Sequence, residues 1–172
     1  YDLCTIARLE YRKGHHLVLE ALAEIKNKLN FKFSYAILGD GPELSLLKDL
    51  VMKYNLLDQV TFIDPSMNSK KLYGLSKIHI MPAITTHDSI EGFGISNVEA
   101  ASYGLPCIVS NSGGTPESIN GNGCVIKEKN LNELINAIID VDKNYIKLSK
   151  KSLVFAKKFR NKSKIKEYLD CI

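Results

Sequence analysis

The sequence predicts an α/β fold in which a parallel sheet is doubly wound, with helices on both faces. Short apolar runs of strand length alternate with longer stretches in which apolar residues recur at helical spacing. Parallel neighbours need crossover connections, and helices of this length supply them. A chain of 172 residues that is 45% hydrophobic is long enough to bury one core. Because no repeat or linker interrupts it, we expect a single domain spanning 1–172.

The first half of the chain carries three strand signals and two helix signals. The predicted strands are residues 4–9, 33–39 and 59–63. The first helix is predicted from about Gly14 to Leu29, because its apolar residues fall on one face. Pro42 is well placed to open the second helix, since proline is tolerated in a first turn, and leucines and a valine follow it at helical spacing.

The second half continues the alternation. Its predicted strands are residues 77–82, 105–110 and 123–127, and its predicted helices are 69–75, 94–103 and most of the sequence after 127. In such a sheet the carboxyl ends of all strands meet at one edge, where loops lead into helix N-termini. Ligands of wound parallel sheets bind at that edge, so the loops after the strands are the ones to inspect.

Positive charge is concentrated near the C-terminus. The net charge is +4, and residues 143–166 contain many lysines and no acid. They belong to a basic, mostly helical C-terminal segment, residues 143–172. A solvated helical face accounts for such a run, and an anionic membrane surface is the main functional alternative. Aromatic residues are too sparse there for base stacking, so no nucleic acid partner is expected.

The sequence shows no targeting or membrane-spanning signal. No apolar run approaches the roughly 20 residues that cross a bilayer, and the first residues lack the order of a cleaved signal. We therefore expect a cytoplasmic location, at the cytoplasmic face of the membrane if the basic segment binds lipid. The four cysteines, Cys4, Cys107, Cys124 and Cys171, show no CxxC spacing, and we expect reduced, buried thiols.

Glycines gather in the loops at the carboxyl edge. The segments GDG, GFG and SGG stand at or just ahead of predicted helix starts. Backbone N–H groups at a helix start, together with the positive end of its dipole, favour phosphate. Any one of these loops could be a tight turn only. Several at one edge of one sheet indicate a phosphate site.

Two basic and two acidic side chains accompany these glycines. Arg8 and Lys13, both in the first loop, suggest a diphosphate clamp. Glu91 and Glu99 would repel phosphate, but a carboxylate accepts hydrogen bonds from neighbouring hydroxyls, so acids beside a phosphate site commonly hold sugars. A nucleotide sugar has one sugar on each side of its diphosphate. The two glutamates would then take one sugar each.

At these residues the sequence closely resembles the nucleotide-sugar-binding half of the family 4 retaining glycosyltransferases. The match covers roughly residues 4–127, from TIARLEYRKG through EGFGISNVEAASYGLPCIVSNSGGTPE to NGNGCVIK. Two glutamates separated by seven residues, followed by Gly-x-Pro and a Gly-Gly loop, are its most specific part. The resemblance implies a Rossmann-like domain, one half of a GT-B fold. We expect the N-terminal, acceptor-binding half to be absent from this chain, and the chain alone to be inactive.

The resemblance implies a role for each charged residue. Arg8 and Lys13 match the basic pair that holds the diphosphate and stabilises the departing nucleoside diphosphate. Glu91 matches the glutamate that contacts the transferred sugar, which makes these three the expected catalytic residues. Glu99 matches the glutamate that binds the ribose hydroxyls.

Further donor-binding positions follow from the same resemblance. They are Gly39 and Gly41 in the loop that lines the nucleotide cleft, Met67 near the base, and Phe93, Gly94 and Ile95 in the turn whose amides face sugar and phosphate. Two positions depart from the family pattern. Ala7 and Asp64 stand where glycine is common, and Asp64 leaves the base contact open.

The implied reaction transfers a hexosyl group from a UDP-, GDP- or ADP-sugar to an acceptor hydroxyl with the anomeric configuration retained. The acceptor would be a sugar or a lipid-linked sugar, bound by the other half, in surface polysaccharide or glycolipid biosynthesis. The transition state should resemble an oxocarbenium ion, with negative charge growing on the leaving diphosphate. Because Arg8, Lys13 and helix-start amides would stabilise that charge, we expect no cofactor and no metal.

Features of the sequence also bear on three other assignments. Asp140-Val141-Asp142 fits the Asp-x-Asp pattern of metal-dependent transferases, but it ends a helical pattern away from the ligand edge, which favours a surface helix. A nicotinamide dehydrogenase is disfavoured because the first strand leads into no GxGxxG turn. A non-catalytic sugar-nucleotide-binding module would keep the same loops and stays open.

The histidines are expected to be ordinary structural positions. His15 and His16 are adjacent on a helix and point in different directions, and His79 falls inside a strand. His87 precedes the glutamate loop and is the histidine best placed to reach a ligand.

Overall fold

One parallel sheet forms the centre of the molecule. The computed structural model describes residues 1–159. Its strands are β1 (Leu3–Ile6), β2 (Tyr35–Leu38), β3 (Val60–Ile63), β4 (Ile78–Met81), β5 (Cys107–Ser110) and β6 (Gly123–Ile126). They form a 6-stranded sheet in the order β3-β2-β1-β4-β5-β6, and every neighbouring pair is parallel. The predicted fold class is confirmed.

The helices cover both faces of this sheet. They are α1 (His15–Leu29), α2 (Leu44–Lys53), α3 (Ser69–Gly74), α4 (Ile95–Ser102), α5 (Leu131–Lys143) and α6 (Tyr145–Lys157). Residues of α1, α2 and α5 share one apolar core, whereas residues of α3 and α4 share a second. Helix α6 packs on α4 from outside. None of the described helices has the length and apolar character that crossing a membrane requires.

Two helix starts are fixed by side chains of the preceding residue. Asn68 accepts a hydrogen bond from the Lys70 amide at the start of α3. At α5, Asn130 Oδ1 accepts from the Glu133 amide while Asn130 Nδ2 donates to Glu133 Oε1. Such contacts satisfy N–H groups that have no partner inside the helix, and each stabilises by about 1 kcal/mol.

The first strand is shorter than predicted. Residues 7–9 leave the sheet but continue to pair with the end of β2 and the chain after it, since the Ala7 amide donates to Leu38 O and the Leu9 amide donates to Asp40 O. An unpredicted 3₁₀ turn, Tyr11–Lys13, then leads into α1. Backbone hydrogen bonds thus hold the first loop in place on both sides of Arg8 and ahead of Lys13.

Two buried histidines lie in or beside the core. His79 is fully buried in β4, as predicted, and burial lowers its pKa to about 4. His15 is buried at the start of α1, and burial lowers its pKa to about 3. Both rings are therefore neutral at physiological pH.

The thiols follow the prediction in part. Cys4 and Cys107 are free and fully buried in β1 and β5, and burial raises the pKa of Cys4 to about 12. Cys124 is free but only partly buried, because β6 is the edge strand of the sheet. Cys171 lies outside the described residues.

The centre of the sheet contains a topological switch point. From β1 the chain proceeds to β2 on one side, and from β4 it proceeds to β5 on the other, although β1 and β4 are neighbours. Loops that leave such a pair of strands diverge and open a crevice at the carboxyl edge. The loop after β1 is residues 7–14, and the loop after β4 is residues 82–94.

Candidate functional site

The two loops at the switch point are packed directly on one another. Gly14 adopts the left-handed conformation, with φ of 72°, and a Cβ atom there would overlap the Pro82 carbonyl oxygen. The Ile84 amide donates to the Arg12 carbonyl oxygen at 2.7 Å. The backbone therefore fixes the distance between the charged residues of the first loop and the glutamate of the second.

A carboxylate held by two cations lies where these loops meet. Lys13 Nζ is 2.6 Å from Glu91 Oε2, and Arg12 Nη1 is 3.0 Å from the same oxygen. The side chains of Lys13 and Glu91 are only 11% and 12% exposed. Solvent screens this pair less than a surface pair, although desolvation offsets part of the attraction. Two of the three predicted catalytic residues are thus in contact.

The third predicted catalytic residue, Arg8, is joined to this pair through other side chains. Arg8 Nε is 2.8 Å from Glu10 Oε1, and Arg12 Nε is 2.8 Å from Glu10 Oε2. A chain of ion pairs therefore runs from Arg8 through Glu10, Arg12 and Glu91 to Lys13. Arg8 is its outer end, with a side chain 71% exposed and free to reach a ligand.

Glu10 and Arg12 were not predicted from the sequence. Both lie in the loop that contains Arg8 and Lys13, and the alternation of Arg8, Glu10 and Arg12 is a signal of paired charges. That alternation alone does not tell which arginine reaches Glu91, which is far away in sequence. Only the tertiary packing of the two loops selects Arg12.

The glycine loops bring backbones close together. A Cβ atom on Gly113 would overlap the Glu91 carbonyl oxygen, and the Gly114 amide donates to Gly92 O at 2.9 Å. A Cβ atom on Gly39 would likewise overlap Ala7 O, while Gly41 approaches the backbone of the same first loop at Leu9. These glycine loops therefore form tight turns and pack closely, which is the role that the sequence allowed for any one of them. Phosphate contacts stay a prediction.

The start of α4 faces this edge without a side-chain cap. Gly94 occupies the N-cap position in the left-handed conformation, and no side chain accepts from the first amides. Those N–H groups lack partners within the helix and lie at the positive end of its dipole. Ile95 is exposed, whereas Phe93 is partly buried and packs near the ring of Phe159, with ring centroids 6.2 Å apart.

Glu99 occupies a different environment from Glu91. The Tyr73 hydroxyl donates to Glu99 Oε2 at 3.2 Å, and it lies equally far from the Ser96 carbonyl oxygen. Burial raises the pKa of Tyr73, and the Glu99 charge raises it further, so the phenol remains a neutral donor. The structure does not bring the two glutamates into contact with one another, and each has its own partners.

A cleft between α3 and α4 contains Glu99. Its volume is about 400 Å³, and it is lined by Ser69, Lys70, Tyr73, Glu99, Ser102 and Tyr103. Met67 is partly buried beside this region, where its amide closes a turn on Asp64 O. Sequence analysis did not single out Tyr73, although the segment KLYG was part of the family match.

Three other positions named from the sequence contribute nothing to this ion-pair chain. His16 stacks on Tyr11, with ring centroids 4.7 Å apart. His87 is almost wholly exposed and contacts its neighbour Asp88 at 2.7 Å. Asp140 lies on α5, as the surface-helix interpretation predicted.

The sequence matches a known family along almost its whole length. Residues 1–162 match the family described as "Glycosyl transferases group 1". The GDP-mannose-dependent alpha-(1-6)-phosphatidylinositol monomannoside mannosyltransferase of Mycobacterium tuberculosis is 30% identical over 142 residues, which cover 79% of this chain and 37% of that protein. The chain spans 25% to 37% of the length of curated relatives that it matches.

Solved structures show the same fold. The pneumococcal O-GlcNAc transferase GtfA, in complex with UDP and GlcNAc, superposes with a TM-score of 0.84 at 20% identity, over 99% of this chain and 35% of that one. Anabaena HepE in complex with UDP also gives 0.84 at 20% identity, over 100% of this chain and 49% of that one. The six-stranded sheet is thus the Rossmann-like sheet of GT-B glycosyltransferases.

Proposed function

The chain belongs to the group 1 glycosyltransferases, and we propose that it is the donor-binding domain of a retaining hexosyltransferase. The enzyme would transfer a hexosyl group from a nucleoside-diphosphate sugar to an acceptor hydroxyl. The observation that carries this proposal is the chain of ion pairs at the switch point. It places three cations and an ordered carboxylate beside an uncapped helix start.

The cations suit a diphosphate whose negative charge grows as the sugar departs. Arg8 is exposed and would meet phosphate oxygens with its planar fork of donors, while Lys13 would add a point charge from inside the crevice. The first amides of α4 would contribute backbone donors. Together these charges and backbone donors would stabilise the leaving group without a metal.

Arg12 gives Glu91 a second partner. Without donor, Lys13 and Arg12 share the negative charge of Glu91 Oε2. When a diphosphate attracts Lys13, Arg12 would keep the carboxylate neutralised and in place. Glu91 could then accept hydrogen bonds from the hydroxyls of the transferred sugar.

Glu99 and Tyr73 suit the other end of the donor. Glu99 lines the cleft between α3 and α4, and the Tyr73 hydroxyl holds one of its carboxylate oxygens. The remaining acceptor capacity of that carboxylate would serve the two ribose hydroxyls. In this arrangement the diphosphate lies between the glutamates, as the order of groups in a nucleotide sugar requires.

The donor and acceptor are proposed at the level of chemical class. One relative is named for GDP-mannose and the similar structures contain UDP, so the donor is proposed to be a UDP-, GDP- or ADP-sugar. The acceptor would be a sugar or lipid-linked sugar bound by a second domain, in surface polysaccharide or glycolipid biosynthesis.

Glycosyl transfer by the purified full-length protein tests this function. With labelled UDP-, GDP- and ADP-sugars and EDTA present, one donor class should give product, and NMR of that product should show the donor's anomeric configuration. Transfer that requires added Mg²⁺ or Mn²⁺ would contradict the metal-free mechanism. Donor binding without transfer to any acceptor would instead support the non-catalytic module.

A further inference from the structure

Helix α6 has one face that packs inward and one that faces solvent. Ser152, Phe155 and Ala156 are buried against α4 and its surroundings. The opposite side consists of alternating lysines and aliphatic residues. We define the α6 outer face as Ile146, Lys147, Lys150, Lys151, Leu153, Val154, Lys157 and Lys158, all of which are exposed.

The apolar members of this face are exposed to solvent. Ile146 is 73% exposed, Val154 62% and Leu153 45%. Ile146, Lys150 and Val154 follow one another at i, i+4 spacing, so they form a single row along the helix. Apolar side chains interleaved with lysines on one helix face are typical of helices that lie in the interface of a bilayer.

Acidic side chains do not balance the positive charge. Residues 143–159 contain no Asp or Glu. Within residues 1–159, no lysine of the α6 outer face forms an ion pair. Two grooves adjoin it, one of about 660 Å³ that includes Asp142 and Lys77, and one of about 400 Å³ beside Asn120. Among residues 1–159, Asp142 is the one acid that lines them.

The direction of α6 relates this face to the candidate site. Its first residues share a groove with Lys77, which directly precedes β4 at the amino edge of the sheet. Just beyond its last turn, Phe159 packs near Phe93. Phe93 lies between Glu91 and Glu99 in the sequence. Helix α6 therefore runs from the amino edge of the sheet towards the loop that carries Glu91, with its outer face along this length.

We propose that the α6 outer face binds the surface of an anionic lipid bilayer. The lysines would contact lipid phosphates, and Ile146, Leu153 and Val154 would enter the interface. A nucleic acid partner fits less well, because this face offers aliphatic side chains and no aromatic platform. Bilayer binding would place the Glu91 loop close to lipid headgroups, where a lipid-linked acceptor could reach it. This consequence rests on the proposed function, whereas the binding itself does not.

Vesicle co-sedimentation of the full-length protein tests the proposal. The protein should bind vesicles of phosphatidylcholine and phosphatidylglycerol in equal parts, and not phosphatidylcholine alone. Binding should weaken as salt rises from about 0.1 M to about 1 M, since the Debye length falls from about 10 Å to about 3 Å. Failure to bind the anionic vesicles at the lower salt concentration, or binding to an oligonucleotide in place of vesicles, would overturn the proposal.

Charge-neutral variants locate the binding face. The triple variant Lys147→Gln, Lys150→Gln, Lys151→Gln should lose about fivefold in partitioning per lysine, or roughly 100-fold in total. A matched triple, Lys28→Gln, Lys48→Gln, Lys53→Gln, removes the same charge from α1 and α2 and should bind almost as well as wild type. Equal losses in both triples would show a net-charge effect and overturn the assignment to this face.

Two further measurements separate this proposal from folding and from donor binding. Ile146→Ser with Val154→Ser should weaken vesicle binding several-fold while leaving its salt dependence unchanged, because both side chains are exposed and uncharged. All variants should keep wild-type affinity for UDP or GDP. Unchanged vesicle binding by the serine variant would contradict insertion of the apolar residues.

Discussion

Lys13→Ala is expected to lower the turnover of the full-length enzyme by about 100- to 1,000-fold, or about 3 to 4 kcal/mol. The Michaelis constant should change much less, because charge on the leaving diphosphate is largest in the transition state. Lys13 is nearly buried, and its ammonium lies 2.6 Å from Glu91 at the junction of the two loops. Steady-state kinetics with a saturating acceptor measures both parameters.

Arg8→Ala should act in the same direction as Lys13→Ala. Its side chain is exposed and makes its described ion pair with Glu10, so its loss should leave the melting temperature almost unchanged. Lys26→Ala, which removes a lysine from α1 on one face of the sheet, is a control for general charge effects. Unchanged turnover in both site variants would remove these two residues from the mechanism.

The variants Glu91→Ala and Glu99→Ala are expected to affect different steps. Glu99→Ala should weaken binding of free UDP or GDP by about tenfold or more, as loss of a charged hydrogen-bond acceptor implies. Glu91→Ala should leave that binding nearly intact and lower the rate of glycosyl transfer by about tenfold or more. The reason is that a free nucleoside diphosphate has the ribose but lacks the second sugar, so only Glu99 has a partner on it.

The ion pairs of Glu91 require a stability control. Lys13 and Arg12 both contact Glu91 Oε2, so Glu91→Ala leaves Lys13 without its described carboxylate partner and leaves Arg12 with Glu10 alone. A purely structural role would lower the melting temperature, diphosphate binding and transfer together. Measuring all three quantities for both alanine variants decides between the roles. Equal loss of diphosphate binding in the two variants would disprove the division of labour.

The order of strands and helices was predictable because each element carries its own local pattern. Buried parallel strands are mostly apolar, and helices such as α1 and α5 show apolar residues on one face, so local sequence is sufficient to place them. The end of β1 was not predictable. Residues 7–9 continue the strand-like pattern of β1, with apolar side chains at Ala7 and Leu9. They nevertheless pair with the last residue of β2 and the loop after it. Those partners are known only from tertiary structure.

Residues of the candidate site could be named from the sequence where they stand in a family motif, and their roles stay predictions. Lys13, Glu91 and Glu99 stand in segments that match the family, and the structure brings Lys13 and Glu91 together. Arg12 and Tyr73 were missed because each contributes through a partner distant in sequence, Glu91 and Glu99 respectively. Their importance depends on which loops and helices pack together, and no local pattern contains that information.

The central claim is that this domain binds a nucleoside diphosphate at the carboxyl edge of its sheet without metal. Amide NMR of the isotope-labelled protein, titrated with UDP, GDP and ADP in EDTA, tests it most directly. We predict weak binding of at least one nucleotide, with the largest shifts at Gly39, Gly94 and Ile95 and none along α6. Shifts confined to the lysines of α6, or no shifts with any nucleotide from folded protein, would contradict the claim.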